Sequence, residues 1–508
     1  MYYNMYSRLV NVRTFGGSRP CVILVLLMPK FYLTNAIAYV NAGPHMGHAL
    51  EAVQGDALAR YHRMIGDEVY FLVGTDEHGS KIQQVAKDKG MEPQALADMN
   101  AALFVDFHKK VNASNDDFIR TTSERHKEGA RKIWELIEAA GKFYDKEYEG
   151  KYCTGCEAFI LDKDLVEGLC AIHKRAPDVL KEKNIFFKLS DYSEAIKAKV
   201  ESGELEIRPE SRRNEFLSLL KEGLQDVSFS RPKKTLSWGI EVPGHDDQVM
   251  YVWCDALTNY MTALGYAEDS ELYKKFWPAD VHLIGKDIIR FHCGIWIGML
   301  MAAQLPLPKA VYVHGFVTSE GQKMSKSLGN VVDPMELLEK YGADPVRYYL
   351  LREIPSDDDG DFSRERFAVV YKDELQNTIG NLVRRVLTIA TKSFEGKMLQ
   401  GDGHFNERID AAWERYREHF EAFNIKGALE AMVELARLAN LYVDEEKPWV
   451  LAKTDLARLE VVMGNLVVLI RVLGEMLEPV LPETAEKILT QVGKDSLVLG
   501  DALFPPID

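Results

Sequence analysis

The feature that most narrows the possible folds lies between Phe31 and Gly74. Phe31–Thr34 reads as a short strand, and Ala36–Gly47 as a loop rich in Asn, Gly and Pro. From His48 the apolar residues Leu50, Val53, Ala57, Tyr61 and Met64 recur every three or four positions, the period of an amphipathic helix. Gly66 closes that helix, and Val69–Val73 is a buried strand stopped by Gly74. Strand, loop, helix and strand in so short a span make a βαβ unit, which predicts a doubly wound, parallel, Rossmann-like sheet.

The rest of the chain fits around that unit. Val281–Ile284, an apolar helix over Ile288–Ala303 and the strand Ala310–Val313 read as a second half of the same sheet. Between the halves, residues 143–237 show little strand–helix alternation, as an insertion would. After about residue 375 the pattern is long amphipathic helices, which predicts an all-α bundle. The expected parts are 1–28 (an extension), 29–142 and 238–318 (the two halves of the sheet), 143–237 (the insertion), 319–375 (a connecting region) and 376–508 (the bundle). The acidic run Asp357–Asp361 is expected to be a solvated loop rather than a metal site.

Composition sets outer limits. Of 508 residues, 46% are hydrophobic and 27% charged, which excludes general disorder and collagen-like or coiled-coil character. With 62 basic and 77 acidic residues the net charge is −15, which argues against indiscriminate nucleic-acid binding but leaves room for a local basic face. Six cysteines are too few for a disulfide scaffold, and a reducing compartment is the default. No apolar run reaches the roughly 18 residues of a spanning helix. Arg8, Arg13 and Arg19, with no acid before Glu51, give residues 1–27 the look of a presequence. The simpler expectation is a start at Met28 and a cytoplasmic protein, with an organellar matrix as the alternative.

Three motifs carry chemistry. His45-Met-Gly-His48 falls between a strand and a helix, where free N–H groups and the helix dipole collect phosphate. Gly47 permits close approach to the backbone. Lys323-Met-Ser-Lys-Ser327, preceded by Gly321, offers two ammonium groups and two hydroxyls to a polyphosphate, with Ser325 among them. Taken singly, the first fits cap-region histidines and the second a solvated basic loop. The third motif is Cys153-x2-Cys156 and Cys170-x2-His173, paired turns suited to one tetrahedral Zn²⁺. All four positions are protein ligands, so the metal is expected to be structural.

Together the first two motifs form the double signature of class I aminoacyl-tRNA synthetases. From Met28 onward the chain resembles the methionyl-tRNA synthetase family. Phe31–Tyr39, Gly74-Thr-Asp-Glu-His-Gly79, Val252-Trp-Cys-Asp-Ala256, Gly285–His292 and Tyr442–Trp449 look like its blocks, in family order.

The resemblance implies methionine activation by ATP and transfer to tRNA(Met), initiator and elongator alike, through a CAU anticodon. Mg²⁺ would accompany ATP. His45, His48, Lys323 and Lys326 would be catalytic, Lys326 the more so, with Asp287 reaching the ATP ribose. Asp76 would bind the methionine ammonium. Ile37, Tyr39, Trp253, Ala256, Tyr260, Ile288, His292 and Trp296 would line the side-chain pocket, Tyr260 and His292 offering polar tips to the sulfur. Asn381, Arg385 and Trp449 would meet the anticodon. The zinc knuckle agrees with the single-knuckle type, and a monomer is expected. A synthetase for another amino acid, a small-molecule nucleotidyltransferase and an inactive tRNA-binding relative remain the competing readings.

Overall fold

The computed structural model describes residues 28–160, 162–171, 174–319, 321–323, 332–356 and 358–506. Its centre is a seven-stranded parallel sheet. In chain order the strands are β1 (Lys30–Asn35), β2 (Ala38–Tyr39), β3 (Glu68–Asp76), β4 (Asp117–Arg120), β5 (Glu206–Arg208), β6 (Val281–Gly285) and β7 (Ala310–His314). Helix α1 (Met46–Met64) joins β2 to β3. The spatial order runs β5, β7, β6, β1, β3 and β4, with β2 resuming the pairing of β1 further along β3.

The chain leaves β1 toward β3 on one side and returns to β6 on the other. The carboxyl ends of β1 and β6 therefore flank the switch point of the sheet, the place where open α/β sheets bind ligands. Leu33, Phe71 and Leu283 are wholly buried, and Gly55 on α1 explains how closely the helix lies on the sheet. A Cβ there would stand 2.2 Å from Asn35 Oδ1.

Two expectations need correction. Residues 143–237 are not wholly an insertion outside the sheet, because β5 lies among them and pairs in parallel with β7 as an edge strand. Three residues are too short to announce a strand by alternation. The expected helix over Ile288–Ala303 is present, but it is not α throughout. A 3-10 turn (Lys286–Ile288) leads to a π-helix (Arg290–Trp296) and then an α-helix (Ile297–Ala302).

The central segment also holds two helices (Ser193–Ser202 and Glu210–Leu220) and an antiparallel sheet around the long pair Phe143–Cys153 and Asp178–Phe187, which carries the knuckle. Helices Asn381–Phe394, Asn406–Glu421, Ile425–Glu446 and Leu456–Leu477 form the C-terminal bundle. One hydrophobic core continues from Leu33 and Phe71 under the sheet to Leu473 and Ile488 in the bundle. Among the described residues no helix is long and apolar enough to cross a membrane.

Candidate active site

Helix α1 begins with His45 as its cap. The His45 backbone is extended (φ −133°, ψ 175°), and its Nδ1 accepts from the N–H groups of Gly47 at 3.1 Å and His48 at 3.4 Å. His48 Nδ1 accepts in return from the His45 N–H at 3.2 Å, and the rings stack with centroids 3.7 Å apart. A ring nitrogen that accepts from a backbone N–H carries no proton, so each imidazole holds its proton on Nε2. Burial lowers the pKa of both, His48 the further, where His45, His108 and His314 add like charge. The pair is thus neutral at pH 7, two N–H donors fixed at a helix N-terminus. Gly47 keeps this stack uncrowded, since a Cβ would lie 3.0 Å from His45 Cε1 and press on that ring.

Asp76 ends β3 opposite Tyr39. It is buried, and its Oδ1 has no hydrogen-bond partner among the described residues. Burial, with the nearby charges of Asp255 and Glu157, pushes its pKa well above the ordinary carboxylate range. The His78 backbone N–H offsets part of this, but a buried carboxylate oxygen left without a donor is costly, and it fits a cationic ligand group. Asp255 is handled in the opposite way. Burial alone would raise it, but His78 Nδ1 donates to Oδ2 at 2.6 Å and His126 Nε2 to Oδ1 at 2.7 Å, holding it at about 2. Two adjacent buried carboxylates therefore differ in kind, one saturated and one open.

The aromatic residues gather beside this pair. Trp253, half-buried, stacks on Phe291 with centroids 3.9 Å apart, and its indole N–H has no partner among the described residues. Tyr260, His292 and Trp296 are fully enclosed, Ala256 is buried, and Ile37 and Ile288 are half-buried. His292 Nδ1 lies 3.0 Å from the Ile288 carbonyl, which can only accept, so Nδ1 carries the proton. Burial holds its pKa at about 4, and the neutral Nε2 accepts from the Tyr260 hydroxyl at 2.6 Å. The two polar tips expected to face a sulfur are therefore spent on each other. Trp296 N–H donates to His282 Nε2 at 3.3 Å.

Asp287 is exposed just beyond β6, close enough to His45, Glu51 and His314 to act on their pKa values. Behind it His314 pairs with Glu51 of α1 at 3.2 Å. Lys323 stands in a short strand (Gln322–Lys323) antiparallel to Val317–Ser319, which follows directly from β7. Ser325 and Lys326 lie outside the described residues. Asp358, Asp359 and Asp361 are exposed, as expected of a solvated loop, but the last two are also partnered. Asp359 receives Lys286 Nζ and the Phe316 N–H, and Asp361 receives the Thr318 hydroxyl and the Gly321 N–H. These carboxylates brace the strand that leads into the lysine motif.

The knuckle sulfurs of Cys153, Cys156 and Cys170 lie within 4.8 Å of one another, with Cys156 and Cys170 3.6 Å apart. Tetrahedral zinc with sulfur at about 2.3 Å sets sulfurs about 3.8 Å apart, so the three fit that metal. His173 lies outside the described residues. In the bundle, Arg385 places its guanidinium 5.4 Å from the Trp449 ring centroid and donates to Asp444 at 3.1 Å. Trp449 is 44% exposed. Asn381 is exposed one turn before Arg385 on the same helix.

Sequence reasoning passed over His78, His126, Phe291, Glu51 and His314. His78 and Phe291 stood inside blocks already singled out, but nothing local marked His126 or His314, whose partners are far off in sequence.

Comparison with known proteins follows the same lines. The family model described as tRNA synthetases class I (M) matches residues 31–171 and 161–387, and that of the anticodon binding domain of methionyl tRNA ligase matches 395–502. Methionine--tRNA ligase of Clostridium acetobutylicum is 46% identical over 91% of this chain and 73% of its own. That of Brucella suis is 43% identical over 94% of this chain and 95% of its own. Mycobacterium tuberculosis methionyl-tRNA synthetase in complex with methionyl-adenylate superposes with a TM-score of 0.91 at 40% identity, over 94% of this chain and 100% of that one.

Proposed function

The chain belongs to the methionyl-tRNA synthetase family of class I, and on that premise we propose how its residues divide the ligation of methionine to tRNA. The observation that carries the reading is the buried, open Asp76 carboxylate at the end of β3, within electrostatic range of Tyr39 and Tyr260. Asp76 takes the methionine ammonium. Ile37, Tyr39, Trp253, Ala256, Tyr260, Ile288, His292 and Trp296 shape the apolar slot, where aromatic faces suit a thioether. The Tyr260–His292 bond sets the shape of that slot rather than gripping the sulfur.

The methionine carboxylate attacks the α-phosphorus of ATP, the bond to the bridging oxygen breaks, and pyrophosphate leaves. A carboxylate is already ionised at pH 7, so no general base is needed. What remains is positioning and charge stabilisation. His45 and His48 donate through Nε2–H to phosphate oxygens, with Gly47 keeping the rings in register. Asp287 accepts from the ribose. Lys323, Ser325 and Lys326 hold the leaving pyrophosphate. Mg²⁺ arriving with ATP would neutralise phosphate charge. A hydroxyl of the terminal tRNA ribose then attacks the activated carbonyl and AMP departs. Asn381, Arg385 and Trp449 select the CAU anticodon by stacking and hydrogen bonding. Zinc held by Cys153, Cys156, Cys170 and His173 would tie the knuckle turns together.

The test is ATP–pyrophosphate exchange with each of the twenty amino acids, beside a Lys326→Ala control. Exchange with methionine alone, lost in the control, is the expected result. Exchange driven by another amino acid would overturn the pocket, and none at all would leave a binding protein.

A further inference from the structure

A side chain of the knuckle is bonded to segments at the edge of the sheet. Glu157 directly follows Cys156 with φ +49°, in a turn closed by the Cys156 N–H donating to the Cys153 carbonyl at 3.1 Å. It is only 5% exposed. Its Oε1 accepts from the Tyr39 hydroxyl at 3.0 Å and the Lys81 backbone N–H at 2.6 Å. Its Oε2 accepts from the Ser80 hydroxyl at 2.6 Å and the Tyr152 hydroxyl at 2.5 Å. All four donors are uncharged, and such saturation is what a buried carboxylate needs.

The partners lie on the methionine side of the sheet. Ser80 and Lys81 open the helix Ser80–Asp88, whose cap residue Gly79 offers no side chain and has φ +105°. Glu157 supplies the missing cap from far along the chain. A Cβ on Gly79 would stand 2.8 Å from Tyr39 Oη and 3.1 Å from Glu157 Oε1, so the three segments close on one point. Tyr39 pairs with Asp76 in the sheet, and Asp76 lies three residues before Gly79.

We propose that Glu157 is a positioning residue through which the metal-loaded knuckle sets the methionine pocket, an inference that rests on the roles given above to Asp76 and Tyr39. A metal gripping Cys153 and Cys156 holds both ends of the turn that presents Glu157. Glu157 in turn fixes the Tyr39 hydroxyl and the turn after Asp76. The knuckle is then a brace on substrate affinity, and its occupancy is read out as methionine binding rather than ATP binding.

The test uses the full chain, wild type, Glu157→Ala and Glu157→Gln, with and without metal removal by a chelator. Zinc content, methionine titration of tryptophan fluorescence and the KM values of exchange are measured. Glu157→Ala is expected to keep its zinc, to weaken methionine binding about tenfold or more and to leave the ATP KM within about twofold. Glu157→Gln, which retains an acceptor oxygen, recovers most of the affinity. Chelation weakens the wild type by a similar factor and adds little in Glu157→Ala, because the two act through one path. A zinc-loaded Glu157→Ala that binds methionine as the wild type does overturns the proposal, and so do effects that multiply. If Glu157→Ala loses zinc or fails to fold, Ser80→Ala decides. Weaker methionine binding at full zinc content supports the proposal, and unchanged binding overturns it. A wild type that does not exchange with methionine brings down the functional reading instead, before any variant is compared.

Discussion

At the scale of single residues, the site works by contrast between like groups. Asp255 is saturated by two imidazoles and held low, while Asp76 is open and pushed up. A carboxyl whose pKa is raised on folding contributes its stability when protonated, and that contribution is lost as pH rises through the raised value. Ionising Asp76 therefore strains the free fold. Asp76→Asn is expected to raise unfolding stability by about 1 kcal/mol at neutral pH while removing methionine binding. Chemical denaturation beside a methionine titration checks both, and a variant that is less stable or still binds contradicts the assignment. In the wild type, methionine binding needs the ionised form. Affinity is expected to fall on acidification from a pH above the ordinary carboxylate range, approaching roughly tenfold per pH unit. A profile that stays flat to pH 4, followed by isothermal titration, would remove Asp76 from the ammonium site.

At the scale of elements, the start of α1 shows how a motif acquires its geometry. The sequence spacing placed His45 and His48 on one turn, but the reciprocal cap and the ring stack arise only when the backbone of His45 is extended and Gly47 leaves room. Gly47→Ala is expected to displace the His45 ring and lower the exchange rate about ten- to hundredfold, since small misplacements are costly in positioning catalysis. The methionine Kd and the thermal midpoint should hardly move. Full activity in this variant would show that the stack does not matter. The π-helix at Arg290–Trp296 teaches the reverse lesson. The four-residue spacing of Ile288, His292 and Trp296 reads as an α-helix face, whereas the wider turn carries Phe291 under Trp253 and His292 against Tyr260. Such widened turns recur at functional sites because they turn side chains out of α-helical register.

At the scale of the whole molecule, sheet and bundle share one core, and a buried ion pair ties α1 to the helix that connects them. Arg347 on the helix Ala343–Glu353 meets Asp56 of α1 at 2.7 Å, both fully enclosed. Its guanidinium also donates to the carbonyls of Val480 at 2.7 Å, Val111 at 3.2 Å and Pro479 at 3.2 Å. Burial alone would raise Asp56, but Arg347 and Arg60 hold it below its ordinary value. Its contribution is thus present above the ordinary carboxylate range and lost as pH falls through the lowered value. Arg347→Met is expected to cost about 3 kcal/mol, because it strips one partner from a buried charge and several buried carbonyls. Urea unfolding at pH 7 measures this. A loss below about 1 kcal/mol, the level of a surface pair, would mean the contact is incidental.

The sequence by itself determined the class of fold, the βαβ opening, the helical end and the positions of the phosphate and cysteine motifs. Each of these is written in local spacing, which periodicity and turn chemistry expose. Only the tertiary structure decided which carboxylate is open, which histidines are neutral and which proton each carries. It also decided that Tyr260 is spent on His292 and that Glu157 binds the knuckle to Tyr39. Those facts depend on burial and on partners from distant segments, such as Asp255 with His126 or Glu157 with Tyr39. The edge strand β5 was hidden for a related reason. Three residues carry no period of their own, and they are a strand because Ala310–Tyr312 lies beside them to pair with.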